Sequence, residues 1–117
     1  DGEMGAGHFL GLPDRPTAIV CFNDLVATGA LKRLQAAGVD VPGDMSVTGF
    51  DNIALSAFTS PPLTTFDQPK RFIGREAARL LLGLLQQAPD SGEKVKMLRG
   101  CLLVRASTAP PRGIGTV

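Results

Sequence analysis

The sequence has no tryptophan, no tyrosine and a single histidine in 117 residues. Six phenylalanines are its only aromatic rings, so platforms for stacking on sugars or bases are scarce. His8 has no cysteine or histidine nearby, which makes it a surface or packing residue rather than a metal ligand or base. No GxSxG elbow, HExxH pair, paired-cysteine motif or phosphate loop is present, and no metal or cofactor is implied. Charge of one sign is also lacking: the net charge of +1 argues against a nucleic-acid or membrane surface as a partner of these residues. No apolar run approaches a membrane span. There is no initiator methionine at Asp1, so the chain reads as an internal fragment, and the missing signal peptide is uninformative. Cysteine is sparse. Cys21 and Cys101 each sit in an apolar run, as buried free thiols of a reducing, cytoplasmic setting do; a disulfide between them is the minor alternative.

What is present is an α/β pattern. The four glycines at Gly2, Gly5, Gly7 and Gly11 weaken any helix at the start, leaving at most a short packed turn. Thr17 to Phe22 is a continuous apolar run, predicted to be a strand covered on both faces. Leu25 to Ala37 is predicted to be a helix, capped by Asn23 or Asp24 and ended by Gly38; Gly29 in its middle implies close packing against another element. Val41-Pro-Gly-Asp44 then turns into the organising strand, Met45 to Asn52. Strand, helix and strand at this spacing form a right-handed βαβ unit, so Asn23 and Asp51 fall side by side on one sheet edge. Ligands of open parallel sheets bind outside that carboxyl edge.

Ile53 to Ser60 holds at most one helical turn before Pro61-Pro62, and Leu63 to Phe66 is a short strand. From Pro69 to Gln87 a helix is predicted, with Ile73, Ala77, Leu80, Leu81 and Leu84 in one stripe. Arg71, Arg75 and Arg79 form a second, solvated stripe with some pairing to Glu76. Ala88 to Glu93 is a loop, Val95 to Val104 contains a last strand centred on Cys101 to Val104, and the tail after Ala109 frays.

Pro16-Thr-Ala-Ile-Val-Cys-Phe-Asn-Asp24, Ala27-Thr-Gly-Ala-Leu31 and Gly38-Val-Asp-Val-Pro-Gly-Asp-Met-Ser-Val-Thr-Gly-Phe-Asp51 together resemble the LacI/GalR family of bacterial transcription regulators. Pro61-Pro-Leu-Thr-Thr65, Gln68-Pro-Lys70 and Val104-Arg-Ala-Ser-Thr108 continue the resemblance in order, over about Arg15 to Pro111. It implies a periplasmic-binding-protein-like fold, a parallel sheet flanked by helices, of which the carboxyl-terminal lobe and part of the other are present. Residues 18–66 and 98–108 would build the former, and 69–97 would belong to the latter.

By the same resemblance Asn23, Asp51 and Gln68 match positions that hydrogen-bond a small effector, a sugar or related metabolite. A carboxylate accepts from two hydroxyls and an amide both donates and accepts. Lys70 stands where some members place an aromatic residue against the effector. The plain alternatives are helix capping for Asn23 and a turn for Asp51. The resemblance also implies a homodimer, with exposed Val26, Thr28 and Phe58 at its interface, and DNA binding only through an N-terminal domain missing from this sequence. The orphaned stripe of the long helix would then promote self-association. Two other readings stay open: a periplasmic solute-binding protein of a transport system, and an enzyme using Asp51 as acid or base.

Overall fold

The computed structural model describes residues 1–86 and 95–112. Expectations for Gln87 and for the loop from Ala88 to Glu93 lie outside the described residues. Contacts divide the chain into two compact units: Asp1–Asp67 with the segment from Leu102 onward, and a second from Gln68 to Cys101.

The first unit is built on a sheet with strand order β1-β2-β3-β4, formed by Ala18–Val20, Ser46–Phe50, Thr64–Asp67 and Cys101–Leu103. β1 runs parallel to β2 with Val20 opposite Thr48, and β2 parallel to β3 with Phe50 opposite Phe66. Between β1 and β2 lies helix α2, Asp24–Ala36, as the βαβ spacing requires. Gly38, at φ +71, ends it in the left-handed conformation that glycine adopts without steric cost. The buried core is one layer between α2 and the sheet: Ile19, Cys21, Ala27, Ala30, Leu31, Leu34, Met45, Val47 and Leu63.

Three expectations need correction. Asp1–Gly11 is not a weak turn but contains a full helix, α1, Gly2–Leu10. One of the glycines that lower its propensity, Gly2, is what lets it pack here. α1 packs on α2 so closely that a Cβ on Gly2 would overlap the Val26 carbonyl oxygen, and one on Gly29 would lie 3.2 Å from the Glu3 nitrogen. Tertiary burial thus overrides propensity, and Gly29 does mark a close approach. An exposed Lys32–Glu3 pair at 2.7 Å spans the same helices. The hydrogen bond and charge of Lys32 lower the Glu3 pKa, and those of Glu3 raise that of Lys32.

Second, β1 is not covered on both faces. Ile19 and Cys21 face the core, whereas Val20 and Phe22 are 85% and 86% exposed. Third, Cys101 is exposed; both cysteines are free, and only Cys21 is buried. The last strand, Cys101–Leu103, lies within the expected stretch. Arg112 reaches Asp44 at 2.7 Å and Asp40 at 3.8 Å.

In the second unit, helix α3 spans Lys70–Leu85 and has no buried residue. Its apolar stripe is open, with Ile73, Leu81 and Leu84 all exposed. Arg75 lies over the Phe72 ring at 4.5 Å and 3.5 Å from Glu76. Lys96 approaches the same carboxylate at 3.9 Å.

Two outcomes follow from this packing. Gly2→Ala should destabilise the chain by about 1–3 kcal/mol in urea unfolding, since α1 must move off α2. Gly5→Ala, where a Cβ meets nothing within 4 Å, should instead stabilise it by about 0.5–1 kcal/mol. Burial also pushes the Cys21 thiol up to about 11. The thiol therefore stays protonated at pH 8, and iodoacetamide should alkylate Cys101 and spare Cys21 in the folded chain, as read by peptide mass spectrometry.

Candidate functional site

Three adjacent strands leave the sheet with a phenylalanine followed by two polar residues: Phe22-Asn-Asp24, Phe50-Asp-Asn52 and Phe66-Asp-Gln68. Extending the register of β1 and β2 by three residues puts Asn23 opposite Asp51, and one step beyond Phe50 and Phe66 puts Asp51 opposite Asp67. Phe50 and Phe66 stack at 5.2 Å on the sheet face away from α2, holding the last two strand ends in step.

These residues divide into those turned into the structure and those left at the edge. Asp24 is fully buried. One carboxylate oxygen accepts from the Thr65 hydroxyl at 2.5 Å, the other from the Ile53 backbone N–H at 2.8 Å. It opens α2 but does not cap it. That role belongs to Asn23, whose Oδ1 accepts from the Val26 N–H at 2.9 Å. The Nδ2 group of Asn23 keeps no protein partner among the described residues, so cap and ligand roles are compatible: one end of the amide is spent and the other is available.

Asp51 follows β2 with φ +103, and Asn52 follows at +48; both are conformations that L side chains seldom adopt. The turn is tied at every step. Asp51 N–H donates to the Phe66 carbonyl at 3.0 Å and Asn52 N–H to the Thr65 hydroxyl at 3.3 Å. The Asn52 Nδ2 donates to Asp67 at 3.1 Å, and its Oδ1 accepts from Arg105 Nη2 at 2.8 Å. Asp51 is left half-buried at the strand end. Gln68, half-buried too, opens the second unit.

The expected interface positions differ in setting. Val26 is not exposed but half-buried against the core, under α1, because the short Gly2–Gly29 approach brings that helix over it. Thr28 is half-buried, its hydroxyl donating to the Asp24 carbonyl at 2.8 Å. Phe58 is 83% exposed just after the 3-10 helix Ala54–Ala57, and Leu55 on that helix is 46% exposed.

Sequence reasoning passed over Arg105 and Ser107. The Ser107 hydroxyl, fully buried, donates to the Val47 carbonyl at 2.6 Å and accepts from the Thr64 N–H at 2.8 Å. It thereby bridges β2 and β3 where their own ladder has not begun. Arg105 gathers Asn52, Ser56 and the Leu63 carbonyl. The signal was the Arg-Ala-Ser-Thr run itself, polar residues directly after an apolar strand.

Two surface concavities lie elsewhere. One of about 460 Å³ is lined by Asp1, Gly2, Glu3, Leu25, Val26 and Gly29; the other, of about 410 Å³, by Arg71, Phe72 and Arg75. Among the described residues no His, Cys, Asp and Glu group could hold a metal ion, and no helix is long and apolar enough to cross a membrane.

Comparison with known proteins agrees with this architecture. The family described as periplasmic binding protein-like domain matches residues 3–108. The HTH-type transcriptional repressor CytR of Escherichia coli is 46% identical over 109 residues, 92% of this chain and 31% of that protein. The repressor PurR of Vibrio cholerae is 49% identical over 79 residues, 68% of this chain and 24% of the relative. The crystal structure of the lac repressor dimer bound to operator and the anti-inducer ONPF superposes with a TM-score of 0.80 at 32% identity, covering 93% of this chain and 37% of that one. The chain thus spans about a quarter to a third of the length of the curated relatives it matches.

Asp24→Ala should cost about 2–4 kcal/mol in urea unfolding, because it strands the buried Thr65 hydroxyl and Ile53 N–H together. Asp24→Asn should cost less, since its carbonyl still accepts one of the two bonds.

Proposed function

This chain belongs to the periplasmic binding protein-like domain family, in the form carried by LacI/GalR-type regulators, and on that footing we propose that it is the effector-sensing and dimerising part of a transcriptional repressor. The effector is a small metabolite, a sugar or a related compound, held between two lobes. Asp51 accepts hydrogen bonds from its hydroxyls, Asn23 offers its Nδ2, and Gln68 is the third ligand residue. Residues 18–66 and 98–108 build one lobe, and 69–97 belong to the other. The observation that carries this reading is Asp51 itself, presented beyond β2 by a turn with two consecutive positive φ values, beside the spare amide of Asn23.

In the proposed mechanism the effector closes the lobes and biases a homodimer between two states of different operator affinity. Phe58 lies at the dimer surface, with Thr28 and the partly covered Val26 at its margin. Exposed Leu55 beside Phe58 supports an interface there. Operator DNA is read by a helix-turn-helix domain of the intact regulator and not by these residues, whose charge is balanced. The setting is cytoplasmic, in keeping with free Cys21 and Cys101. The transport reading loses its footing, since the named relatives are repressors. No catalytic role is assigned to Asp51.

The test is a thermal-shift screen of the intact regulator against monosaccharides, nucleosides and nucleobases. A binder at a hundred times its Kd should stabilise by about 2.7 kcal/mol. Asp51→Ala should abolish that shift. Asn23→Ser should weaken it while leaving the unliganded midpoint within a few tenths of a kcal/mol, because serine caps a helix as well as asparagine does. A shift that survives Asp51→Ala would remove this residue from the site.

A further inference from the structure

The guanidinium of Arg105 meets three acceptors that belong to different parts of the chain. Nη2 donates to Asn52 Oδ1 at 2.8 Å; Nη1 donates to the Leu63 carbonyl at 2.7 Å and to Ser56 Oγ at 3.1 Å. Its own backbone N–H is fixed to Thr64 Oγ1 at 2.9 Å. Ser56 Oγ in turn approaches Asn52 Oδ1 at 3.4 Å, and the Ser56 side chain is fully buried. Asn52 is thus held from two sides, through Oδ1 by Arg105 and through Nδ2 by Asp67.

The contact is placed where the backbone most needs one. Asp51 and Asn52 sit at φ +103 and +48, and neither is glycine. Such conformations persist only when the surroundings over-determine them. We propose that Arg105 is a positioning residue for the effector site: by clamping Asn52 it holds the turn that carries the Asp51 carboxylate. The proposal rests on the reading of Asp51 as an effector-binding group. A planar guanidinium spreads its donors over two nitrogens in fixed directions, whereas the ammonium of a lysine gathers three rotatable donors on one atom.

The same clamp reaches further. Ser56 lies in the 3-10 helix that carries Leu55 and leads directly to Phe58. One guanidinium therefore joins the strand-end turn to the 3-10 helix that leads to the exposed apolar surface.

The test uses the 117-residue chain, isotope-labelled, with no ligand added. Three-bond HN–Hα couplings report φ at Asp51 and Asn52, and hydrogen exchange reports the Ile53 amide. In Arg105→Lys and Arg105→Ala the couplings should move toward extended values, and Ile53 should exchange about tenfold faster or more. Ser107→Ala is the control. It removes a buried staple from the same segment and should lower the unfolding midpoint, yet leave the two couplings unchanged.

Couplings that stay put in a folded Arg105 variant would overturn the proposal. If both Arg105 variants fail to fold, the wild-type chain decides. Held as described, the Arg105 guanidinium should rotate slowly and give separate Nη signals; a freely averaged signal would overturn the proposal as well. None of these readouts involves effector, so they stand apart from the Asp51→Ala screen. A held turn with no Asp51-dependent binding would sink the functional reading alone, and binding with a loose turn would sink this one alone.

Discussion

The buried carboxylate of Asp24 is the constraint on which the strand-end architecture depends. It stands on the first residue of α2, where the unpaired backbone amides and the helix dipole favour an acidic group. Its oxygens then fix two further elements, β3 through Thr65 and the start of the 3-10 helix through Ile53. The carboxylate occupies the space where β2 would otherwise carry a side chain. A Cβ on Gly49 would overlap Asp24 Oδ1 and come within 2.9 Å of Leu63 Cδ2. The Asn-Asp pair and the Gly-Phe-Asp run are therefore two halves of one contact, the glycine giving room to the acid. A buried acid with unmatched oxygens would be costly; here neutral donors satisfy both, with no cation needed.

A second polar layer closes the opposite side of the same strands. Val47 donates to the Ser107 carbonyl, and Ala106 to that of Pro62. Ser107 and Arg105 add the side-chain bonds, and the Thr64 and Thr108 hydroxyls meet at 2.9 Å. The tail thus supplies what β2 and β3 lack before their own pairing begins at Thr48 and Thr64. Backbone groups at a strand entrance must find partners, and here they find them more than forty residues away in sequence, as the Thr64–Ser107 separation of 43 shows. That distance is why the run looked like a mere chain end when read in isolation.

What was legible in the sequence was whatever depends on local period or spacing. The βαβ unit, a cap at Asn23 or Asp24, the stop at Gly38 and the placement of Asn23 beside Asp51 all follow from short-range rules. The order of several motifs together carried the family, which no single motif could. What failed did so for tertiary reasons. Four glycines condemn α1 as an isolated helix, yet Gly2 and Gly29 are small because two helix backbones meet there. A continuous apolar run does read as a doubly covered strand, but among the described residues the face carrying Val20 and Phe22 meets no covering element. The roles of Asp24 and Arg105 needed partners on three different segments, and no window of sequence contains them together.

The division of labour at the strand ends follows from these constraints. Of each polar pair that ends β1 and β2, one member is consumed by the fold: Asp24 by Thr65 and Ile53, Asn52 by Asp67 and Arg105. The other member stands at the edge: Asn23, whose Oδ1 caps α2, and Asp51, on the turn with two positive φ values. A displayed group is useful for recognition only if its direction is fixed before a ligand arrives, since ordering it afterwards would subtract from affinity. The consumed residue provides that direction, and it does so with bonds a ligand does not have to break. At the end of β2 the fold draws on Asn52, next to Asp51 in the chain, whereas at the end of β1 both residues serve the fold, Asp24 through its carboxylate and Asn23 through its cap.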